Sequence, residues 1–432
     1  MLELLWPLIP YATVAAESHE VHHVRRGPLN AFLSKRSVYS RTSALQRPVE
    51  ILCDRLTDAS DRQLTVNLKH VVGALALDVI IDYCFAREPV YLLKRDFRGG
   101  ELENIDKYLK LSIVNIHLPW LIHLVDFLPV MLLLLLTLVM FLTLPQDLIK
   151  KALMPPMDEF VEFGQSITHQ IEDIRSEKNK GSGRHTIFHE QLFNSKLPLH
   201  ELTTKRLGGE AFSLVHAGLA TVATVLRGAA YHISANPHIH QKFYAELCSV
   251  MPDSNDIPSL QTLEHLPYLN AIVHESLRLC SPITHRQSRQ FPDKTLQCDG
   301  YTIPAGSLVS VTLPLLMLDE TIFPDPHEFH PERWLGEADI EDKPNTADGE
   351  KSEKEPRYLQ KYLVPYNRGP RMCVGHLLAR AELLFVLAVV FRRFVFDVQG
   401  VVRERDVDFS SDFMVGIEVE ESPGILVKVR KC

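Results

Sequence analysis

The sequence predicts a mainly α fold with a small β portion, and two observations carry that reading. Apolar residues recur at helical spacing through 64–84, where Val71, Ala74, Leu75, Val79 and Ile80 share one stripe, and through 155–175, 204–235 and 267–279. By contrast, 296–303 and 308–313 are short strand-like pieces, punctuated by Asp299-Gly300 and by Pro304-Ala305-Gly306. The 432 residues are 46% apolar and 23% charged, an ordinary globular balance, and suit either one large domain over 1–432 or two to three smaller ones.

A formal charge of -8 leaves no basic footprint for nucleic acid. The seven cysteines (53, 84, 248, 280, 298, 373, 432) are scattered without a metal-ligand or disulfide spacing and read as reduced thiols. Residues 1–16 are apolar but lack Lys and Arg, contain Glu3 and are broken by Pro7 and Pro10, unlike a signal peptide. The segment 130–144, between Pro129 and Pro145, has only Thr137 and Thr143 as polar residues. Fifteen residues span about 22 Å as a helix, short of a ~30 Å hydrocarbon core, so a buried or membrane-dipping helix is expected rather than a spanning one.

Taken in chain order, 22–34 opens a basic helix-like segment, and 178–184 is a polar loop. Thr203 or Thr204 caps a helix that runs to Ala235 and is stopped by Asn236-Pro237. Pro267 starts a shorter helix that ends before Ser281-Pro282. The stretch 336–356 carries eight acids and three lysines with almost no large apolar residue and reads as an acidic surface loop.

Chemistry concentrates in Pro365-Tyr366-Asn367-Arg368-Gly369-Pro370-Arg371-Met372-Cys373-Val374-Gly375, followed by a helix over 375–385. A cysteine just before a helix N-terminus is stabilised as thiolate by the dipole and free N–H groups. It suits a nucleophile, a metal ligand or a buried structural thiol. Gly369 and Gly375 admit a flat group close to the backbone, and Arg371 offers donors to a carboxylate, which favours the metal.

Two further constellations stand apart from the loop. Glu275 and Arg278 face one another at i and i+3 on a largely apolar helix, as a surface or partly buried pair, with Arg333 of Pro331-Glu332-Arg333-Trp334 as a further partner. Small residues at His216-Ala217-Gly218-Leu219-Ala220-Thr221 in the long helix suit either close helix packing or a flat ligand.

Glu275-x-x-Arg278, then Pro324-Asp325-Pro326-His327-Glu328-Phe329-His330-Pro331-Glu332-Arg333-Trp334, then Gly369-x-Arg371-x-Cys373-x-Gly375 resembles the cytochromes P-450 from about residue 12 onward. The wording, such as Tyr362-Leu363-Val364-Pro365, is most similar to fungal members of secondary metabolism, including the trichodiene oxygenase group. The resemblance implies haem b with Cys373 as axial iron ligand and a structural role for Glu275, Arg278 and Arg333. Gly218 would leave room for dioxygen, and Thr221 would hydrogen-bond in its activation.

Of the family's Trp or His and Arg four residues apart on an early helix, Arg25 and Arg26 match the arginine part; Val21 stands where tryptophan often appears, and His22 is the substitute expected as a propionate donor. Arg289 and Arg371 match others. As alternatives, these arginines are solvated surface charges. The chain departs from the family pattern at Ala220, where an acid commonly precedes the threonine, and at Tyr366, where Phe is usual.

The resemblance also implies a monooxygenase using O2, an NADPH-dependent reductase and an apolar small-molecule substrate, a terpenoid or polyketide. It places the protein at the cytoplasmic face of the endoplasmic reticulum membrane. The family's anchor, first helix and much of its first sheet are expected before the arginine-rich helix, so the chain reads as truncated. The alternatives are an impaired haem protein, a non-enzymatic membrane-associated remnant, or a haem enzyme of isomerisation or dehydration.

Overall fold

A computed structural model describes residues 11–97, 157–176, 185–335 and 359–432. The apolar stretch 130–144, the polar loop 178–184 and the acidic loop 336–356 lie outside the described residues.

The chain opens with helices α1 (His19–Phe32), α2 (Lys35–Ser40) and α3 (Ser43–Asp61), the first two capped by Ser18 and Ser34 side chains. The expected helix over 64–84 is split. Thr65–Asn67 forms β1, paired with the later strand β9 (Leu426–Lys431), and α4 begins only at Leu68 and runs to Phe85. The reason is local: Asn67 accepts the Lys69 N–H at 3.0 Å and caps the helix there, which frees Thr65 and Val66 for the sheet.

Helix α5 spans Met157–Ser176 and α6 spans Thr204–Ala235. The Thr203 side chain caps α6, and Pro237 follows at once as the first residue of α7 (Pro237–Val250). Then come α8 (Leu260–Glu264), α9 (Pro267–Leu279), the strands β2 (Gln287–Gln290), β3 (Leu296–Cys298), β4 (Tyr301–Ile303) and β5 (Leu308–Val311), and α10 (Leu313–Met317). In the β3–β4 hairpin, Asp299 and Gly300 both have positive φ, 47° and 80°, the requirement of the tight turn their sequence announces. Strand β2, which no alternation announces, exists by pairing antiparallel with β5.

The chain closes with α11 (His376–Arg393), β6 (Phe394–Asp397), β7 (Ser411–Phe413), β8 (Val415–Ile417) and β9. Strand β9 lies between β1 and β6, tying the C-terminal strand to the start of α4. Helices α4, α6 and α11 form the centre. Each is apolar around most of its circumference, as a helix enclosed by others must be, and α6 packs most extensively on α4.

One buried charge cluster fastens this centre. Glu418 receives both Arg227 nitrogens of α6, at 2.8 and 2.9 Å, and Lys69 of α4 at 2.7 Å. Burial alone would raise its pKa, but the two cations outweigh it and hold the carboxyl at about 2. A depressed folded pKa stabilises above the unfolded value and loses that contribution as pH falls toward 2. Glu418→Gln should therefore cost roughly 3 kcal/mol at pH 7. Denaturation of parent and variant between pH 7 and 3 checks this: the gap should narrow as pH falls below about 4.5.

Candidate active site

Cys373 sits between a 3-10 turn, Gly369–Arg371, and the first turn of α11. The loop before it is folded by two left-handed residues, Asn367 at φ 60° and Gly369 at φ 79°. Its closing bond runs from Cys373 N–H to Tyr366 O at 2.9 Å. The sulfur accepts the N–H groups of Gly375 and His376, the free donors of the α11 N-terminus. Burial pushes the thiol up, while these N–H groups and Arg26 pull it down.

The same side chain is exposed. Its neighbours crowd the sulfur enough to desolvate it even so. Built side chains at Gly369 or Gly375 would meet nothing within 4 Å, so open space continues past both glycines. The Tyr366 hydroxyl, in place of the expected Phe, is buried with no hydrogen-bond partner among the described residues.

Cations gather beside this space. His22 is 4% exposed, and its pKa falls to about 4 through burial first, then through Arg371 and Arg26. Burial lowers Arg26, Cys373 opposes that, and Arg371 adds to it; Arg371 is in turn lowered by burial and then Arg289. Arg371 also anchors the loop, donating to Ala16 O at 2.6 Å and Glu17 O at 3.0 Å. Arg26 Nε donates to Asn30 Oδ1 at 3.1 Å, and among the described residues no carboxylate pairs with His22, Arg26 or Arg371.

Arg25 is not part of it. Its Nε pairs with Glu201 at 2.7 Å, and its Nη1 donates to Tyr11 O. Arg25 and Arg26 follow His22 at i+3 and i+4, both near its face, and their partners separate them: Arg25 goes to Glu201, whereas Arg26 lies toward Cys373.

In α6 the small-residue patch has two sides. A Cβ at Gly218 would lie 2.7 Å from Ile80 Cγ1 of α4, so this glycine permits close helix contact, and the space expected there is filled. The opposite direction is open. Ala217 is exposed in mid-helix, Ala220 and Thr221 are half-buried, and Thr221 Oγ1 donates to Ala217 O at 2.7 Å.

Glu275 and Arg278 are fully buried. Glu275 Oε1 accepts Arg278 Nη2 (2.8 Å), Arg333 Nε (3.0 Å) and the His330 N–H (2.9 Å); Oε2 accepts Arg278 Nε and Trp334 Nε1, both at 2.9 Å. Trp334 was not anticipated, although an indole one residue after Arg333 was available in the sequence as a donor. It packs with Phe323, Leu359, Tyr362 and Leu363, the last of these two residues before Pro365 of the cysteine loop. Arg380 of α11 reaches His274 Nε2 at 3.2 Å and ties α9 to α11.

A family model for cytochrome P450 matches residues 9–420. The chain belongs to the cytochrome P450 family. It is 32% identical over 417 residues to a cytochrome P450 monooxygenase of Eupenicillium brefeldianum, covering 95% of this chain and 75% of that protein. It is 32% identical over 426 residues to an N-acetyltryptophan 6-hydroxylase of Emericella nidulans, covering 98% and 76%. A fusicoccadiene C-8 hydroxylase of Alternaria brassicicola is 30% identical over 426 residues, covering 96% of this chain and 74% of that protein. This P450 is a haem-dependent monooxygenase, and its cofactor is haem b.

The residues fit that group. Haem b is flat and dianionic, and the structure offers a thiol at a helix start, open space beside two glycines and cations lacking a carboxylate.

Glu275→Ala leaves two guanidinium groups and an indole N–H without their common acceptor. The expected cost is roughly 3–5 kcal/mol, seen as loss of soluble folded chain. A Glu275→Ala protein that unfolds at the parental denaturant concentration contradicts this.

Proposed function

We propose that the chain hydroxylates an apolar small molecule of fungal secondary metabolism, a terpenoid or polyketide, with Cys373 as the iron ligand. The observation that carries the reading is the accessible Cys373 sulfur at the head of α11, beside cations that lack an acid. Bound haem supplies the reductive activation of dioxygen and the transfer of one oxygen atom to the substrate. Cys373 gives its thiolate to the iron, stabilised by the Gly375 and His376 N–H groups. His22, Arg26, Arg289 and Arg371 hold the propionates, with neutral His22 as a hydrogen-bond donor and the arginines as charges. The fusicoccadiene relative supports a hydrocarbon-like substrate. The N-acetyltryptophan relative sets an aromatic amino-acid derivative as the result that would redirect the assignment.

Thr221 positions a proton donor. Its hydroxyl hydrogen is committed to Ala217 O, so its lone pairs face the open side of α6 and accept from a water there. Ala220 contributes no acid, so that water draws its proton from solvent or substrate. Gly218 serves the α4 contact rather than the open face. Electrons come from a reductase, with NADPH as their source. Association with the endoplasmic reticulum membrane rests on the family resemblance. Among the described residues one helix, α6, is long and apolar enough to cross a membrane, and 56% of its most apolar window is buried inside the protein, as for a core helix. The family match over 9–420 favours an oxygenase over a non-enzymatic remnant.

The reduced, carbon monoxide-treated protein should show the red-shifted Soret band of thiolate ligation, and Cys373→Ala should lose it. Persistence of that band in Cys373→Ala removes the assignment.

Thr221→Ala should lower product formed per reductant consumed, with the difference released as hydrogen peroxide. Ala220→Asp should raise that ratio. Equal ratios in parent and both variants would show that proton supply does not run along this face of α6.

A further inference from the structure

A cavity of about 40 Å³ lies against α6 and begins one helical turn beyond Thr221. Thr224, Gly228 and His232 of α6 line it, together with Cys280, just past the end of α9, and Asp408. The three α6 positions follow Thr221 at i+3, i+7 and i+11, which an α-helix places within about 60° of Thr221 on one face. The stripe thus runs from Thr221 into the cavity over about 16 Å of helix. Gly228 lets Cys280 close the floor, since a Cβ there would lie 2.4 Å from the Cys280 sulfur.

Two side chains of this wall are buried and keep polar atoms without a protein partner. Thr224 is 7% exposed and His232 is 3% exposed. A helical threonine commonly turns its hydroxyl to the carbonyl four residues back, as Thr221 does to Ala217 O. Among the described residues, the Thr224 hydroxyl makes no hydrogen bond, and neither ring nitrogen of His232 makes one. Stacking on Phe329 holds the His232 ring instead, with centroids 4.8 Å apart and 3° between planes. Burial, then Arg403 and Arg278, lowers its pKa to about 3, so the ring stays neutral with one donor and one acceptor nitrogen. Buried polar groups of this kind are satisfied by water, and the volume admits about three molecules. At the other end Asp408 both lines the cavity and meets solvent, with its side chain 43% exposed and its carboxylate 3.2 Å from Arg403 Nε.

We propose that this cavity holds a file of waters that carries protons from solvent at Asp408, past His232 and Thr224, to the water held by Thr221. The inference rests on the reading of Thr221 as holder of that water, and it names the solvent route that Ala220, lacking an acid, makes necessary. A proton enters beside the Asp408 carboxylate. Each water accepts one proton and passes on another, so the file ends unchanged and one proton reaches the water on Thr221. Thr224 and His232 are positioning residues: they orient the waters and do not touch the reacting atoms.

The test uses the haem-loaded full chain with an NADPH-dependent reductase and reads NADPH consumed and hydrogen peroxide released, which needs no identified substrate. Thr224→Val removes the hydroxyl at nearly constant shape, and His232→Phe keeps the stack on Phe329 without ring nitrogens. Each should slow NADPH consumption roughly tenfold, less than loss of a general acid, because solvent still reaches the open face of α6. Each should also enlarge the solvent deuterium isotope effect, which a packing defect leaves alone, and Thr224→Ser should restore both parental values. Thr221→Ala should differ, with consumption maintained and more of it ending as peroxide.

Parental rates and isotope effects in Thr224→Val and His232→Phe, with Thr221→Ala still diverting to peroxide, overturn the proposal and leave Thr221 its role. Parental behaviour of Thr221→Ala removes both. A Thr224→Ser protein as slow as Thr224→Val also overturns the file, because the hydroxyl is then not what matters. Should a variant fold poorly, a crystal structure of the haem-loaded parent decides: ordered waters from Asp408 to Thr221 support the file, and a dry cavity overturns it.

Discussion

The rest of the structure depends on one buried carboxylate. Glu275 is 0% exposed and accepts from Arg278, Arg333, Trp334 and the His330 backbone at once. Isolated, such a charge would be expelled or neutralised, because desolvation of an unpaired carboxylate is prohibitive. Satisfied on every side, it fixes α9 against the irregular segment that leads from α10 to Trp334. Arg278 spends its remaining donors on the carbonyls of Met317, Pro326 and Glu328, so that segment needs no secondary structure of its own to hold its course. Trp334 then seats the residues before the cysteine loop, and the Cys373 loop inherits its placement from an ion cluster on another helix.

The loop built on that support sets Cys373 among Arg26, Arg371 and the buried His22. Burial, with Arg371 and Arg26 beside it, keeps His22 neutral, and Arg26 and Arg371 have no carboxylate partner among the described residues. The sulfur is tuned by opposing influences: burial raises the thiol, while two N–H groups at the start of α11 and Arg26 lower it. On α6 the two sides of the small-residue patch divide the work. Gly218 allows α4 to approach, while Ala217 and Thr221 face the opening.

Much of this was legible in the sequence. The cysteine between two glycines, the Glu275–Arg278 spacing and Arg333 are local patterns whose chemistry follows from residue type, and the long helix with its Thr203 cap and Asn236-Pro237 stop was readable at both ends. Less legible were features that need a partner distant in the chain. Strand β2 forms only because β5 offers an edge. Thr65 and Val66 leave the helix because β9 is there to pair with them. Arg25 and Arg26 are equivalent on paper, and the helical phase set by the packing of α1 sends one to Glu201 and the other toward Cys373.

The sequence by itself determined the helical class, which rests on local periodicity, and the resemblance to the cytochromes P-450, which rests on three motifs in order. Only the tertiary structure decided that Gly218 lies against Ile80, that Trp334 completes the Glu275 cluster and that Arg25 pairs with Glu201. Those outcomes depend on which face of a helix meets which neighbour. Side-chain direction relative to a partner hundreds of residues away is fixed by packing, and packing is not written in any local pattern.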